Sequence, residues 1–464
     1  MNELYEKSLF IFHRDFRLVD NTALINALND SKQVLPCFFF DPRLLEQSSP
    51  HQNAIEFMAQ ALQDLDYQFQ EYNSQILYLA GIPEKILPRL LSAHNSKAVY
   101  INRDYSPFSR QRDAQIRGIC DKAKVSFHQF ADSLLNEPEM ILTANNEPYR
   151  VFTPFFRKAS EIPISPPKKN TFQNYGKIMQ EQPKAVKRIF KQINTDYNKS
   201  PCIQGTRAAG LDILSNLQVY KDYQTTRDFP AQLGTTRLSP YIKFGICSIR
   251  EVHSAIVKQL GRSHPLIRQL YWRDFYTHIA FHYPHVFKGA FKPRYDAIQW
   301  NYDKSLFETW SQGNTGFPIV DAGMRELNTT GWMHNRVRMI VASFLTKDLH
   351  IDWRWGERYF ANKLVDYDPA VNNGNWQWAA STGVDAQPYF RIFNPWLQQE
   401  KYDPNCEYIK HWIPELANLE PKIIHKWYKP TYSDSRTNYP KPVVDHKEES
   451  QFSKELFAAT FSIQ

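Results

Sequence analysis

Four stretches of the chain set polar and aromatic side chains at spacings that suit chemistry. In LIRQLYWRDFYTHIAF (266–281), Gln269, Trp272, Arg273 and Tyr276 fall at i, i+3, i+4 and i+7 and share one helix face. An amphipathic helix with a core tryptophan has the same spacing. A glutamine and an arginine on the tryptophan's own face make a poor core, however, and an aromatic floor ringed by donors suits a cavity. In GWMHNRVRM (331–339), Asn335, Arg338 and Met339 lie on one side with Arg336 adjacent. Followed by the apolar IVASFL, they point to recognition of an anion or phosphate, although surface arginines on a half-buried helix give the same pattern. The segment DYDPAVNNGNWQW (366–378) crowds acids and amides beside two tryptophans. On a helix Trp376 and Trp378 point about 200° apart, so one can face a cofactor and the other a substrate cavity. Lastly, Tyr223, TTRDFP (225–230) and GTTRLSP (234–240) place a glycine, hydroxyls and an arginine ahead of a helix start. Backbone N–H groups there can cradle a phosphate, though GTT also serves as an ordinary cap.

These residues must be held by a chain of 464 residues, a length that suits two domains. Over the first 130 residues, apolar runs at Leu9–Phe12, Val34–Phe40, Ile76–Ala80, Ala98–Ile101 and Val125–Phe130 alternate with helical patterns such as Ala54–Phe69 and Pro83–Leu91. That alternation predicts a parallel sheet covered by helices on both faces. No GxGxxG follows the first strand and no GxxxxGK[ST] loop occurs, so nicotinamide-dinucleotide and P-loop readings are weakened. Residues 161–201 are rich in proline, lysine, asparagine and glutamine and read as a linker. Beyond Gly205 helical periodicity dominates. All eleven tryptophans fall between Trp272 and Trp427, which places the chemistry in the second half.

Lysine plus arginine number 56 against 48 acids, a net charge of +8 that suits a polyanionic partner. The five cysteines (Cys37, Cys120, Cys202, Cys247, Cys406) are scattered and form no CxxC, which argues against a disulfide framework and a structural zinc site; no metal is expected. No signal-peptide hydrophobic region and no membrane-length apolar run is present, so a cytoplasmic protein is expected.

The segments HRDFRLVDNTAL, GTTRLSP, YWRDFYTH, TGFPIVDAGMRELNTTGWMHNRVRMIVASFLTKDL, DYDPAVNNGNWQWAASTG and YFRIFNP, in this order between about Phe10 and His446, resemble the photolyase/cryptochrome family. More closely, they are similar to class I cyclobutane pyrimidine dimer photolyases. The resemblance implies an α/β, Rossmann-like antenna domain (1–135), a linker (136–204) and an all-helical FAD- and DNA-binding domain (205–464). Tyr223, Thr235, Thr236, Arg237, Leu238 and Ser239 would hold the FAD phosphates and ribityl chain. Arg273, Asn335, Arg338, Asp366 and Asp368 would line the flavin, with Arg338 and Asp366 paired. Asn372 falls where the family places the residue facing flavin N5, and a neutral amide there suits a reduced anionic flavin.

The implied reaction is light-driven electron transfer from reduced FAD to a pyrimidine dimer flipped out of DNA. Trp272 and Trp378 would be the stacking walls, each base stack being worth roughly 1–3 kcal/mol. Tyr276, on the Trp272 helix face, would also line the substrate side. Gln269, Asn335 and Met339 would meet the lesion, and Arg227, Arg336, Arg391 and Gln398 match positions near damaged DNA, duplex or single-stranded. Trp300, Trp353 and Trp376 match the family's electron-transfer chain. Class I relatives usually carry glutamate where this chain has Gln269, and glutamine there is similar to (6-4) photolyases. Those enzymes, however, carry histidines in place of Asn335 and Met339, so the cyclobutane dimer is favoured. Asn375 departs from the usual glycine. His13, Asp41, Asp104 and Lys243 look like a deazaflavin-type antenna site more than a folate one. A signalling cryptochrome is the rival function; Asn372 and the mere 18 residues after His446 speak against it. A monomer without membrane partners is expected.

Overall fold

The computed structural model describes residues 4–45, 52–178, 182–195, 203–433 and 437–461; Cys202 lies outside them. The chain falls into two compact units. One comprises residues 1–149, 153–219 and 237–282, the other residues 150–152, 220–236 and 283–464.

The first unit is built on five parallel strands, β1 (Tyr5–Phe12), β2 (Ser31–Phe40), β3 (Leu77–Ala80), β4 (Ala98–Asn102) and β5 (Ser126–Phe130), in the order β3-β2-β1-β4-β5. Each apolar run of the sequence coincides with a strand, with Ile76 and Val125 falling one residue ahead of β3 and β5. β1 and β2 start earlier than their runs because Tyr5 pairs with Ser31 and Lys7 with Gln33, polar rungs that a search for apolar residues passes over. Side chains of β1 alternate between faces. Leu9 and Ile11 join Leu87, Leu90, Ile116 and Cys120 from helices α3 (Pro83–His94) and α4 (Pro107–Ala123). Phe12 meets Phe16 and Phe69 on the other face, where α2 (Gln52–Gln70) lies; α1 (Thr22–Asp30) connects β1 to β2.

The loop after β1 is held by buried charge. Arg17 pairs with Asp132, and Arg250 reaches Asp20 at 2.9 Å and Asp132 at 2.8 Å. Helix α5 (Lys184–Thr195) rises inside the stretch read as a linker. Its Val186 is buried, and Phe190 sits edge-on to Phe40 and Tyr78, both at 5.3 Å. Local apolar spacing thus overrides the lysine- and glutamine-rich composition. The same unit holds α6 (Pro265–His282), the helix of Gln269 and Trp272.

Helices dominate the second unit. Its core gathers Trp310, Met324, Val337, Val341, Phe344, Phe360 and Trp376. It is framed by α7 (Pro318–Thr330), α8 (Asn335–Lys347), α9 (Trp353–Lys363) and α10 (Pro369–Ala379). Two glycines let these helices approach closely. A Cβ on Gly323 would stand 2.3 Å from Val337 of α8, and one on Gly356 would stand 2.1 Å from the Trp376 ring. The last described helix, α11 (His446–Ala459), covers the end of α8. There Lys347 is buried, its Nζ 3.3 Å from the centre of the Phe457 ring and without a hydrogen-bond partner, and burial pulls its pKa well below the ordinary lysine range. Beside it His446 pairs with Asp348 at 2.5 Å and His350 with Glu449 at 2.7 Å. No helix among the described residues is long and apolar enough to cross a membrane.

Candidate functional site

In the first unit, α6 presents the face that the spacing predicts. Gln269, Trp272 and Arg273 are partly exposed on a helix whose remaining second half is buried. Tyr276 is buried and packs 5.6 Å from the Trp272 ring. Arg273 turns inward within its own unit, donating to the Ser133 carbonyl at 2.7 Å and to Asp274 at 3.1 Å. Asp274 also accepts from the Leu135 N–H at 2.8 Å, and burial raises its pKa to about 7 despite the Arg273 charge.

Arg237 has φ of +53°, a left-handed conformation that costs a non-glycine residue energy. Leu238 is buried and Ser239 is exposed at the first position of a five-residue helix.

The antenna candidates are on this unit too. A doubly wound sheet binds ligands beyond the carboxyl ends of its strands where the strand order reverses, here between β1 and β4. His13 directly follows β1, and Asp104 is the second residue beyond β4. His13 contacts Arg112 at 3.1 Å, and burial, reinforced by Arg112, lowers its pKa well below the usual value. Arg14 grips Asp104 through two bonds of 2.9 and 2.7 Å. Burial would raise the Asp104 pKa, but Arg14, Arg112 and Lys243 together hold it below the usual carboxylate range. His13, Asp104 and Lys243 therefore share one charged neighbourhood. Asp41 is engaged by Arg43, which also binds Glu84 at 3.0 Å.

In the second unit, α10 begins at Asp368, whose carboxylate accepts from Ala370 at 3.0 Å and Val371 at 3.2 Å, with Pro369 at the first helical position. Asp368 thus also serves as a helix cap. Asn372, one turn on, is buried, and its amide nitrogen donates to the Glu357 carbonyl at 3.0 Å and to Glu357 Oε1 at 2.8 Å. Both N–H groups are taken, which leaves Oδ1 to accept from a ligand. Burial raises the pKa of Glu357. Arg338 bonds the Met333 carbonyl at 2.8 Å and Asp366 at 3.0 Å.

Trp376 is buried while Trp378, on the other side of α10, is half-buried. Asn375 is exposed and bonds the Val371 carbonyl at 2.8 Å, so the usual glycine is replaced where a side chain meets only solvent and its own helix. Asn335 is exposed, its amide 3.7 Å from the half-buried Met339 sulfur.

Tyr223 is buried, with Arg227 5.6 Å above its ring. Thr235 and Thr236 are half-buried beside Gly234, where a Cβ would stand 2.6 Å from the Thr226 carbonyl oxygen; only glycine permits that approach. Arg336 is held by Asp228 at 2.8 Å and lies over Tyr402 at 4.4 Å. A phosphate would therefore compete with Asp228 for Arg336. Arg391 is exposed and Gln398 half-buried. Trp300 and Trp353 are buried. Glu357 and Asp228 are partners that sequence reasoning misses, since no motif or periodicity ties residue 357 to 372 or 228 to 336. No group of acids, histidines and cysteines that could hold a metal occurs among the described residues.

The donor set fits FAD: hydroxyls and a glycine turn for phosphates, an arginine–aspartate pair, and an amide carbonyl for a ring N–H. The comparisons with known proteins agree. Residues 266–459 match the FAD binding domain of DNA photolyase and residues 8–171 the DNA photolyase family. The chain is similar to the deoxyribodipyrimidine photo-lyase of Synechococcus sp., 37% identical over 97% of this chain and 96% of that protein. Among solved structures it is similar to an archaeal photolyase from Sulfolobus tokodaii with two FAD molecules (40% identity, TM-score 0.87, 98% of this chain and 100% of that one). It is also similar to a Synechocystis cryptochrome (30% identity, TM-score 0.87, 98% of this chain and 100% of that one). A parallel α/β sheet followed by a helical part that matches an FAD-binding family model is the two-domain architecture of photolyases and cryptochromes. The chain belongs to the DNA photolyase family. It is an FAD-containing lyase, and the family acts on pyrimidine dimers in damaged DNA.

Proposed function

We propose that this chain repairs cyclobutane pyrimidine dimers in the manner of class I enzymes. When bound in its reduced form, FAD supplies the light-driven one-electron chemistry that opens the cyclobutane ring. The remaining work belongs to the protein. Arg237, Leu238, Ser239, Tyr223, Thr235 and Thr236 hold the phosphates and ribityl chain, and Arg273, Arg338, Asp366 and Asp368 hold the ring end. Trp272 and Trp378 stack the flipped dimer, and Arg227, Arg336, Arg391 and Gln398 attend the DNA strand. Gln269 donates to the dimer carbonyl oxygens as they gain negative charge, and a preorganised donor of this kind stabilises such a state. Trp376, Trp353 and Trp300 return electrons to oxidised flavin.

One observation carries this reading over a signalling cryptochrome: the neutral Asn372 amide, locked by Glu357, offers its carbonyl oxygen to the ring N–H and adds no negative charge. Asn335 and Met339 carry no titratable group, which favours the cyclobutane lesion over the (6-4) photoproduct. The antenna part is residues 1–135 and the catalytic part residues 205–464, joined by 136–204. The antenna chromophore is a deazaflavin beside His13, Asp104, Lys243 and Asp41. The protein acts as a cytoplasmic monomer.

The deciding experiment offers purified, chemically reduced protein two defined oligonucleotides, one with a cyclobutane dimer and one with a (6-4) photoproduct, under blue light. Repair of the first alone is expected. Repair of neither would favour the cryptochrome, and repair of the second would overturn the lesion assignment.

A further inference from the structure

The ring contacts of Trp376 lead to a place that the tryptophans at motif positions do not. Among the described residues its aromatic neighbours are Phe360, perpendicular at 5.0 Å, and Trp310 at 6.3 Å. Trp353 and Trp300 are not among these centroid neighbours; Trp300 packs on Phe457. From Trp310, fully buried, contacts continue to Phe307 at 5.6 Å and Tyr359 at 5.7 Å. Phe307 then meets Trp355 at 5.3 Å, and Trp355 meets Tyr302 at 5.9 Å. Tyr302 is 59% exposed. Every step lies within the second unit and joins rings whose centres stand 5.3–6.3 Å apart. Tunnelling falls off steeply with distance, so a run of closely spaced rings favours moving an electron through a protein in short steps.

The residue types fit that task. Indole and phenol give up an electron far more readily than a benzyl ring, so Trp310, Trp355 and Tyr302 can hold the hole while Phe307 only bridges. Tyr302 stands at the water boundary, where oxidation of a phenol can release its proton to solvent. Packing alone accounts for Trp310 in the core, but it does not call for a second tryptophan and a tyrosine ordered outward to the surface.

We propose that Trp310, Phe307, Trp355 and Tyr302 form a second electron-supply branch from solvent to Trp376, resting on the reading of Trp376 as donor to FAD. Bound oxidised FAD would supply the light-driven one-electron oxidant, and Trp376 would give up one electron to it. Trp310 refills Trp376, Trp355 refills Trp310 across Phe307, and Tyr302 refills Trp355 while losing its O–H proton to water. One electron has then moved inward, one proton has left, and the neutral Tyr302 radical is reduced by an external thiol.

The test illuminates FAD-loaded variants and reads radicals by electron paramagnetic resonance, with oxidised side chains mapped by mass spectrometry. Trp353→Phe, which cuts the other route, should still give a tyrosyl signal and oxidation at Tyr302. Trp353→Phe/Trp355→Phe and Trp353→Phe/Tyr302→Phe should both lose that signal. Tyr302 is exposed, so Tyr302→Phe alone should leave the unfolding temperature unchanged and remove the tyrosyl signal. A tyrosyl signal that survives Tyr302→Phe, or none in Trp353→Phe, overturns the branch. Unchanged protein radicals in Trp376→Phe would instead overturn the role of Trp376 itself.

Discussion

Gly356→Ala is a sharp test of how Trp376 is held. The added Cβ would stand 2.1 Å from Trp376 Cη2, 2.4 Å from its Cζ3 and 2.6 Å from Leu345 Cδ2, where ordinary contact starts at 3.4 Å. To restore ordinary contact the indole must give by about 1.3 Å. It has little room, because Phe360 meets its ring at 5.0 Å and Trp310 at 6.3 Å, and only 2% of the residue is exposed. Two effects oppose each other. Alanine is favoured over glycine in a helix interior by about 1 kcal/mol. Overpacking of a filled core costs roughly 1–3 kcal/mol. With two side chains struck at once the clash should win, for a net loss of about 1–2 kcal/mol. For a unit of this size that lowers the unfolding midpoint by roughly 2–4 °C per kcal/mol. Thermal unfolding followed by near-ultraviolet circular dichroism reads it directly. A midpoint equal to or above wild type, with an unchanged aromatic spectrum, would show that Gly356 is an ordinary helix glycine and that the indole is not confined.

Three further outcomes are expected. Asp274 has its pKa raised by burial from 3.8 to about 7, so it favours the protonated folded state; the stability it contributes is complete below pH 3.8 and is lost as pH rises through 7. Asp274→Asn should flatten that decline, worth up to about 4 kcal/mol at 1.36 kcal/mol per unit, and urea midpoints at pH 4.5 and 7.5 that differ as much in the variant as in wild type would refute it. Asp228→Asn frees Arg336, so DNA should bind more tightly and the log–log salt slope should steepen by about 0.9 for one added phosphate contact; titrations at several salt concentrations that match wild type would count against a phosphate role for Arg336. Glu357→Gln can turn its own amide toward Asn372 and release the Asn372 orientation, so the visible spectrum of bound FAD should shift; identical spectra would show that Glu357 does not set that amide.

The sheet and the α6 face were legible because both rest on periodicity. The strands are apolar runs, and Gln269, Trp272 and Arg273 do share a partly exposed face. What periodicity cannot convey is where a polar side chain finds its partner. Arg273 turns to Ser133 and Asp274, Arg336 is held by Asp228, and Glu357 fixes Asn372 from fifteen positions away. Asp368 shows a missed local signal, since aspartate followed by proline marks a helix start, and it caps α10. Helix α5 was hidden by composition: its lysines face water, and the lysine- and glutamine-rich stretch masked the helical spacing of Val186, Ile189 and Phe190.

The terminal segment of a domain usually tolerates trimming and tags, because little depends on it. Helix α11 is different. Its Phe457 lies over the Lys347 amine and against Trp300, while His446 and Glu449 hold Asp348 and His350. Deleting it would wet the lysine, remove the burial that lowers its pKa, and open the indole of Trp300 to solvent quenching. A truncation there acts as a core mutation and not as the loss of a tail, so an affinity tag belongs beyond this helix and never in place of it.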